Sequence, residues 1–107
     1  MPKPIIVEEI IEPIARRSLL LGKDIVLVTI GKPRSFDPNE LEGNYCPYSI
    51  DFRGRRKWRY AGGVDVVQAL QLVMDVISSD LEAIGMKNEG VITWEGLPKG
   101  TGFPRSS

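Results

Sequence analysis

The chain has 107 residues, of which 42% are hydrophobic and 26% charged, and its 14 basic residues balance its 14 acidic ones. This length and composition predict one globular domain, residues 1–107, with a single core. Because the net charge is zero, no overall field directs the protein to nucleic acid or to a membrane surface. No uncharged apolar stretch approaches the roughly 20 residues of a membrane span, so we expect a cytoplasmic protein with no membrane partner.

The absence of histidine and the presence of a single cysteine limit the chemistry of the chain. Histidine is the commonest general base and the commonest zinc ligand, so a nucleophilic triad and an ordinary zinc site are not expected. Cys46 has no histidine to activate its thiol and is expected to pack as a small hydrophobic side chain. We predict no catalytic residue, no metal ligand and no cofactor, although carboxylates assembled in space, such as Glu12 with Asp51, remain open.

The N-terminal part of the chain predicts two or three strands. Ile5 to Leu21 indicates one edge strand or two short ones, because Pro13 cannot donate a hydrogen bond within a sheet. After a turn, the apolar run in residues 24–30 is typical of a strand covered on much of both faces. Residues 31–45 then form a long polar connection, in which a single helical turn is predicted at residues 38–42.

Two segments of alternating polar and apolar residues, joined by a turn at residues 53–55, predict a β-hairpin. The alternation is expected to place Trp58 and Tyr60 on the face that meets the helix. Lys57 and Arg59 would then lie on the solvated face of the sheet.

A long helix is predicted from Asp65. The N–H of Gln68 is expected to donate to the Asp65 side chain, and the Gln68 side chain to return a hydrogen bond to Asp65. Gly85 suits the left-handed position that follows a last turn, so we expect the helix to end near Ile84. Asp80 falls on the apolar side, and a frayed or redirected last turn would bring it to solvent.

The apolar arc of this helix is wider than the stripe that one sheet face requires. Either the long loop and the termini cover the remainder, or a second copy covers it in a homodimer. Gly62 and Gly63 before the helix fit a tight strand-to-helix turn. They do not fit a phosphate cradle, because no glycine-rich phosphate motif is present and Asp65 places negative charge there.

A short strand is predicted at Val91–Trp94, followed by a loosely ordered tail from about residue 98. The elements together predict an α+β fold of order β-β-β-β-α-β. An antiparallel sheet of about four or five strands would carry one long amphipathic helix on one face.

The hairpin carries the candidate binding residues. Cations that could contact an anionic partner are Arg53, Arg55, Arg56, Lys57 and Arg59. With Trp58 and Tyr60 as stacking groups, this segment resembles a nucleic-acid-binding hairpin. The zero net charge and the predicted orientation of the aromatic side chains favour a solvated sheet face instead.

Four short blocks resemble a family of small uncharacterised bacterial domains. They are Gly31-x-Pro33, Cys46-Pro47-Tyr48-x-Ile50, Gly63-x-Asp65-x-x-Gln68-Ala69-Leu70 and Gly102-Phe103-Pro104, and the similarity extends over residues from about 14 to 104. The resemblance implies a compact bacterial domain and carries no activity or site residues.

The absence of catalytic motifs, the wide apolar arc and the long loop predict a non-catalytic protein-interaction module. Such a module would be a homodimer or a small partner-binding protein of the immunity type. The alternative is binding of nucleic acid or another anionic partner through residues 53–60. A small-ligand protein or a carboxylate-based enzyme is the weaker third reading.

Overall fold

The computed structural model describes residues 12–37, 39, 42–94 and 100–104. In these residues six strands and one long helix form an antiparallel sheet with the helix packed on one face, which confirms the α+β fold class. In chain order the elements are β1 (Pro13–Leu21), β2 (Asp24–Gly31), β3 (Arg34–Ser35), β4 (Asn44–Phe52), β5 (Arg55–Gly63), α1 (Val66–Lys87) and β6 (Ile92–Thr93).

β4 lies in the middle of the sheet. β5 pairs with β4 along its whole length, and β2 pairs with the second half of β4 on the other edge. β1 pairs with β2, and β6 pairs with the end of β1. The short strand β3, which the sequence did not predict, pairs with Asn44 and Tyr45. β5 occupies one edge of β4 at these residues. β3 therefore pairs with the other edge, the same edge that pairs with β2 at residues 48–52.

The core lies between the sheet and α1. From the helix, Ala69, Val73, Ile77 and Leu81 are each 0% exposed and follow one another at intervals of four residues. This spacing places them on one face of the helix. The sheet contributes alternate side chains from its central strands, including Val26, Val28, Cys46, Tyr48 and Ile50.

The described residues do not cover the whole apolar arc of α1. Val67 and Leu72 are 61% and 40% exposed, while Phe103 of the C-terminal segment packs against the core. Within the described part of the chain, other segments therefore cover only part of the apolar arc of α1. Homodimerisation stays a prediction.

The predicted N-terminal cap of α1 is confirmed. The Gln68 N–H donates to Asp65 Oδ1 at an N···O distance of 2.7 Å. The Gln68 side chain accepts from the N–H of Val64, at 2.7 Å, instead of from Asp65 as predicted. Gly63 precedes this cap, and a Cβ there would lie 2.6 Å from the backbone nitrogen of Ala69. Glycine therefore lets the end of β5 approach the first turn of α1.

The prediction that the helix ends near Ile84 is wrong. α1 continues to Lys87, and Gly85 lies inside the helix. The left-handed residue after the helix is Glu89, with a φ of 54°. The N–H groups of Glu89 and Gly90 donate to the carbonyls of Met86 and Gly85, which satisfies the last turn. Gly85 is needed for packing, since a Cβ there would lie 2.9 Å from the carbonyl oxygen of Gly90.

The predicted β4–β5 hairpin is confirmed, but the predicted orientation of β5 is wrong. The register pairs Arg59 with Tyr48, so Arg59 and Lys57 lie on the helix side of the sheet. Trp58 and Tyr60 lie on the opposite face. Alternation divides the strand into two sets of side chains, but only the hairpin register decides which set faces the core.

An aromatic cluster forms on that opposite face. Phe36, just after β3, stacks on Tyr45 with 4.5 Å between the ring centroids, and its edge meets Tyr60 at 5.5 Å. Tyr45 and Tyr60 also meet edge to face, at 5.6 Å. The cluster holds the start of the long connection against β4 and β5.

Several predicted segments fall partly outside the described residues. These are the strand residues before Glu12, most of the helical turn at 38–42, and the tail beyond residues 100–104. Within the described tail, the Thr101 carbonyl accepts a hydrogen bond from Arg17 at 3.2 Å. The short C-terminal strand is confirmed as β6. A single domain with a loosely ordered tail stays a prediction.

Truncation of the helix stripe tests this core. We expect Ile77→Ala to lower the free energy of unfolding by about 2 to 5 kcal/mol, because it removes buried methyl groups and leaves a cavity. Val67→Ala, at a position that is 61% exposed on the same helix, is the control. It should change stability by less than about 0.5 kcal/mol. Equal effects of the two substitutions in urea denaturation would contradict the placement of α1.

Candidate basic groove

A groove of about 520 Å³ lies between the C-terminal half of α1 and the β4–β5 hairpin. We call it the basic groove. Apolar side chains of both elements form its floor, and four cationic side chains with one carboxylate surround them. The groove is lined by Ile50, Phe52, Arg53, Arg55, Lys57, Asp80, Ala83, Ile84, Lys87 and Asn88.

The two ends of β5 present different residues to α1. Near its N-terminus the helix meets the end of β5 at Gly63, where there is no side chain, and Ala61 nearby is buried. Further along, β5 presents the long side chains of Lys57 and Arg55 on the same face. Such side chains pack along their aliphatic stems and keep the charged ends in water, so they line a groove without filling it.

Three of the cations have no oppositely charged partner among the residues that the structure describes. Arg55, Lys57 and Lys87 are exposed, and none of them has an ion pair or side-chain hydrogen bond in the described part of the chain. Charges of one sign around a partly enclosed apolar surface raise the local concentration of the opposite charge. The electrostatics of the groove therefore favour an anionic ligand.

Asp80 lies in the groove as a partnered carboxylate. The Tyr48 hydroxyl donates a hydrogen bond to it, and Arg59 Nη1 lies 3.5 Å from its Oδ1. Its side chain is only 13% exposed. The prediction that a frayed or redirected last turn brings Asp80 to solvent is therefore wrong. Burial and the hydrogen bond to Asp80 raise the pKa of Tyr48, which keeps the hydroxyl protonated as the donor. Partners in the sheet thus compensate the partly buried charge.

The other predicted cations already have partners within the protein. Arg53 donates to Asp24 at 2.9 Å and lies over the ring of Phe52, 4.8 Å from its centroid. Arg56 lies on the opposite face of the sheet and donates to Asp51 at 2.7 Å. The structure thus gathers Arg53, Arg55 and Lys57 at the groove, pairs Arg59 with the carboxylate, and directs Arg56 away.

Lys87 is the groove residue that the sequence analysis missed. It lies in the last turn of α1 and seven residues after Asp80, which places both on one side of the helix. The seven-residue spacing indicates that Lys87 and Asp80 share one side of the helix, but only if the helix continues past Gly85.

Other candidate chemistries receive no geometric support within the described residues. Glu12 and Asp51 pair with different arginines, and Glu12 lies beyond the end of β2 while Asp51 is opposite Leu27. Cys46 is fully buried, and burial raises the pKa of its thiol to about 11, so the nucleophilic thiolate is disfavoured. No three His, Cys, Asp or Glu side chains that the structure describes are grouped to hold a metal ion.

A second cavity, of about 350 Å³, lies between the C-terminal half of α1 and the segment 100–103. Its lining is largely apolar and includes one charged side chain, Glu82, among the described residues. Nearby, the Arg17 guanidinium lies between the rings of Trp94 and Phe103, 4.1 and 4.7 Å from their centroids. Arg17 therefore holds the C-terminal segment against the sheet and is not available to a ligand.

The Tyr48–Asp80 hydrogen bond is expected to stabilise the fold. Tyr48→Phe should lower the free energy of unfolding by about 1.5 to 3 kcal/mol, because the partly buried carboxylate loses its charge-assisted donor. Tyr45→Phe is the control, since that ring packs in the aromatic cluster and its hydroxyl has no hydrogen bond in the described residues. Equal losses for the two variants in urea denaturation would contradict this assignment.

Within the described residues, no helix has both the length and the apolar character needed to cross a membrane. Comparison with curated proteins gave no match, and comparison with solved structures gave none either. The model of one family, the domain of unknown function DUF6968, matches residues 15–105. This match covers most of the chain and confirms the resemblance to a family of domains of unknown function. The chain belongs to the DUF6968 family.

Proposed function

We propose that this domain is a non-catalytic protein-interaction module that binds an acidic segment of a partner protein in the basic groove. The observation that carries the proposal is the combination of an apolar floor with three cations, Arg55, Lys57 and Lys87, that have no ion pair within the described ranges of the chain. The cations attract carboxylates, and the floor buries apolar side chains next to them. An acidic segment with interspersed apolar residues supplies both.

The geometry favours a protein segment over nucleic acid. A single-stranded nucleic acid is held by cations and by aromatic side chains on which its bases stack. In β5 the cations Arg55 and Lys57 lie on the helix side of the sheet, whereas Trp58 and Tyr60 lie on the opposite face. A strand of nucleic acid in the groove would reach the cations without reaching these aromatic rings. Nucleic-acid binding is therefore the competing outcome of the experiment below.

Several finer expectations stay predictions. They are a bacterial source, a cytoplasmic location, a homodimer, an immunity-type partner and the absence of enzymatic activity. The exposed apolar side chains of α1, such as Val67, and of the sheet face opposite the helix, such as Ile25 at 63% exposure, support the homodimer. Sedimentation of the purified protein tests it independently of the groove.

Charge reversal in the groove tests the proposed function. The probe is a fluorescein-labelled peptide of about 20 glutamates, titrated with the protein by fluorescence anisotropy at about 0.15 M salt, where the Debye length is about 8 Å. We expect the Arg55→Glu, Lys57→Glu double variant to weaken binding by about tenfold or more. A labelled oligothymidylate of similar length is titrated in parallel.

The matched control is the Arg16→Glu, Lys32→Glu double variant, which changes the net charge equally. Both control residues are exposed and neither lines the basic groove. The control should bind the peptide within about twofold of the unmodified protein, because only the cations of the basic groove are expected to contact the peptide. Equal weakening by both double variants, or tighter binding of the oligothymidylate than of the peptide, would contradict the proposal.

A further inference from the structure

One edge of the sheet, beside the basic groove, has no strand partner in the described part of the chain. Among the described residues β5 pairs with β4 alone, so its other edge has no strand partner. An edge strand presents unpaired backbone N–H and C=O groups that a further strand can bind. Two of the β5 side chains that face the helix, Arg55 and Lys57, line the groove, so the groove adjoins this edge.

The turn of the hairpin determines which backbone groups point outward. Its two central residues, Arg53 and Gly54, both have positive φ angles, 51° and 75°, as in a type I′ turn. In such a turn the flanking residues Phe52 and Arg55 form a hydrogen-bonded pair. Backbone groups then alternate along β5, so Lys57 and Arg59 direct theirs to β4.

Trp58 and Tyr60 occupy the alternate positions and direct their backbone N–H and C=O groups away from β4. Neither residue has another hydrogen bond in the described part of the chain. These are the groups that an added strand would bind.

The two faces of this edge differ in chemistry. On the helix side, the row of side chains is Arg55, Lys57 and Arg59, and the first two have no ion pair with any described residue. On the opposite side, Trp58 is half-buried and Tyr60 is 44% exposed. A strand added to the edge places its alternate side chains beside these two rows. Acidic residues match the helix side, and apolar residues match the aromatic side.

Resting on the proposed function, we propose that the partner binds as an antiparallel β-strand added to the edge of β5. Its sequence alternates acidic residues, beside Arg55 and Lys57, with apolar residues, beside Trp58 and Tyr60. Main-chain hydrogen bonds supply affinity in this mode, and the alternate side chains supply specificity. The antiparallel direction follows the geometry of every strand pair described in this sheet.

The first test compares two labelled nonapeptides of identical composition. One alternates Glu and Val throughout, and the other carries all its Glu residues before all its Val residues. The alternating peptide should bind the full chain at least about tenfold more tightly, because only it places every carboxylate on one face of an extended strand. The Arg55→Glu, Lys57→Glu variant should remove this preference.

The second test methylates backbone nitrogens of the alternating peptide. In the antiparallel arrangement, residues that share a face with Trp58 and Tyr60 form the hydrogen-bonded pairs with them, and these are the valines. N-methylation of the valines should therefore weaken binding by about tenfold or more. N-methylation of the glutamates, whose N–H groups point away from β5, is the control and should have little effect.

The outcomes separate the two proposals. If both nonapeptides bind equally and Arg55→Glu with Lys57→Glu weakens both, strand addition is overturned while the basic groove still binds acidic segments. Equal effects of the two methylation patterns, or a larger effect at the glutamates, would overturn the antiparallel arrangement. If neither the nonapeptides nor the glutamate peptide binds, both proposals fail.

Discussion

The contact between the end of β5 and the first turn of α1 is the constraint on which the rest of the structure depends. Gly63 lies so close to Ala69 that a side chain at position 63 would collide with the helix backbone. This contact brings the N-terminal half of α1 onto the sheet, where small residues permit close packing. Toward its C-terminal end the helix faces long basic side chains of β5, and the basic groove forms there. The close contact between Gly63 and Ala69 thus influences both the packing of the core and the position of the basic groove.

The buried carboxylate of Asp80 connects the core to the groove. Tyr48 packs in the core and donates to Asp80, and Arg59 approaches the same carboxylate from β5. These contacts hold the C-terminal half of α1 against the hairpin in a defined position, because a charge on the inner side of a helix is tolerated only where its partners lie. Arg59 is thereby paired with a carboxylate of the same chain. The positive charge available to a ligand therefore comes from Arg55, Lys57 and Lys87.

Most of the elements were predictable from local patterns, and the errors have specific physical causes. The cap at Asp65 and the turn at Gly54 are local, so their residues identify them. Gly85 was misread as a helix end because its role, close contact with Gly90, involves a segment that the helix pattern does not include. The candidate site was predicted in part: the cations of the hairpin were identified, but Lys87 was missed because it depends on the true end of α1.

The sequence by itself determined the α+β class, the capped start of the helix, the hairpin and the cluster of cations at residues 53–59. It did so because caps, turns and alternation act between residues that are close in the chain. Only the tertiary structure decided that Lys57 faces the helix and Trp58 the opposite side. The reason is that a strand offers two equivalent faces, and the register with its neighbour, not its own pattern, decides which face is buried. The register therefore places Arg55 and Lys57 beside an apolar floor and next to an edge of β5 that, among the described residues, has no strand partner.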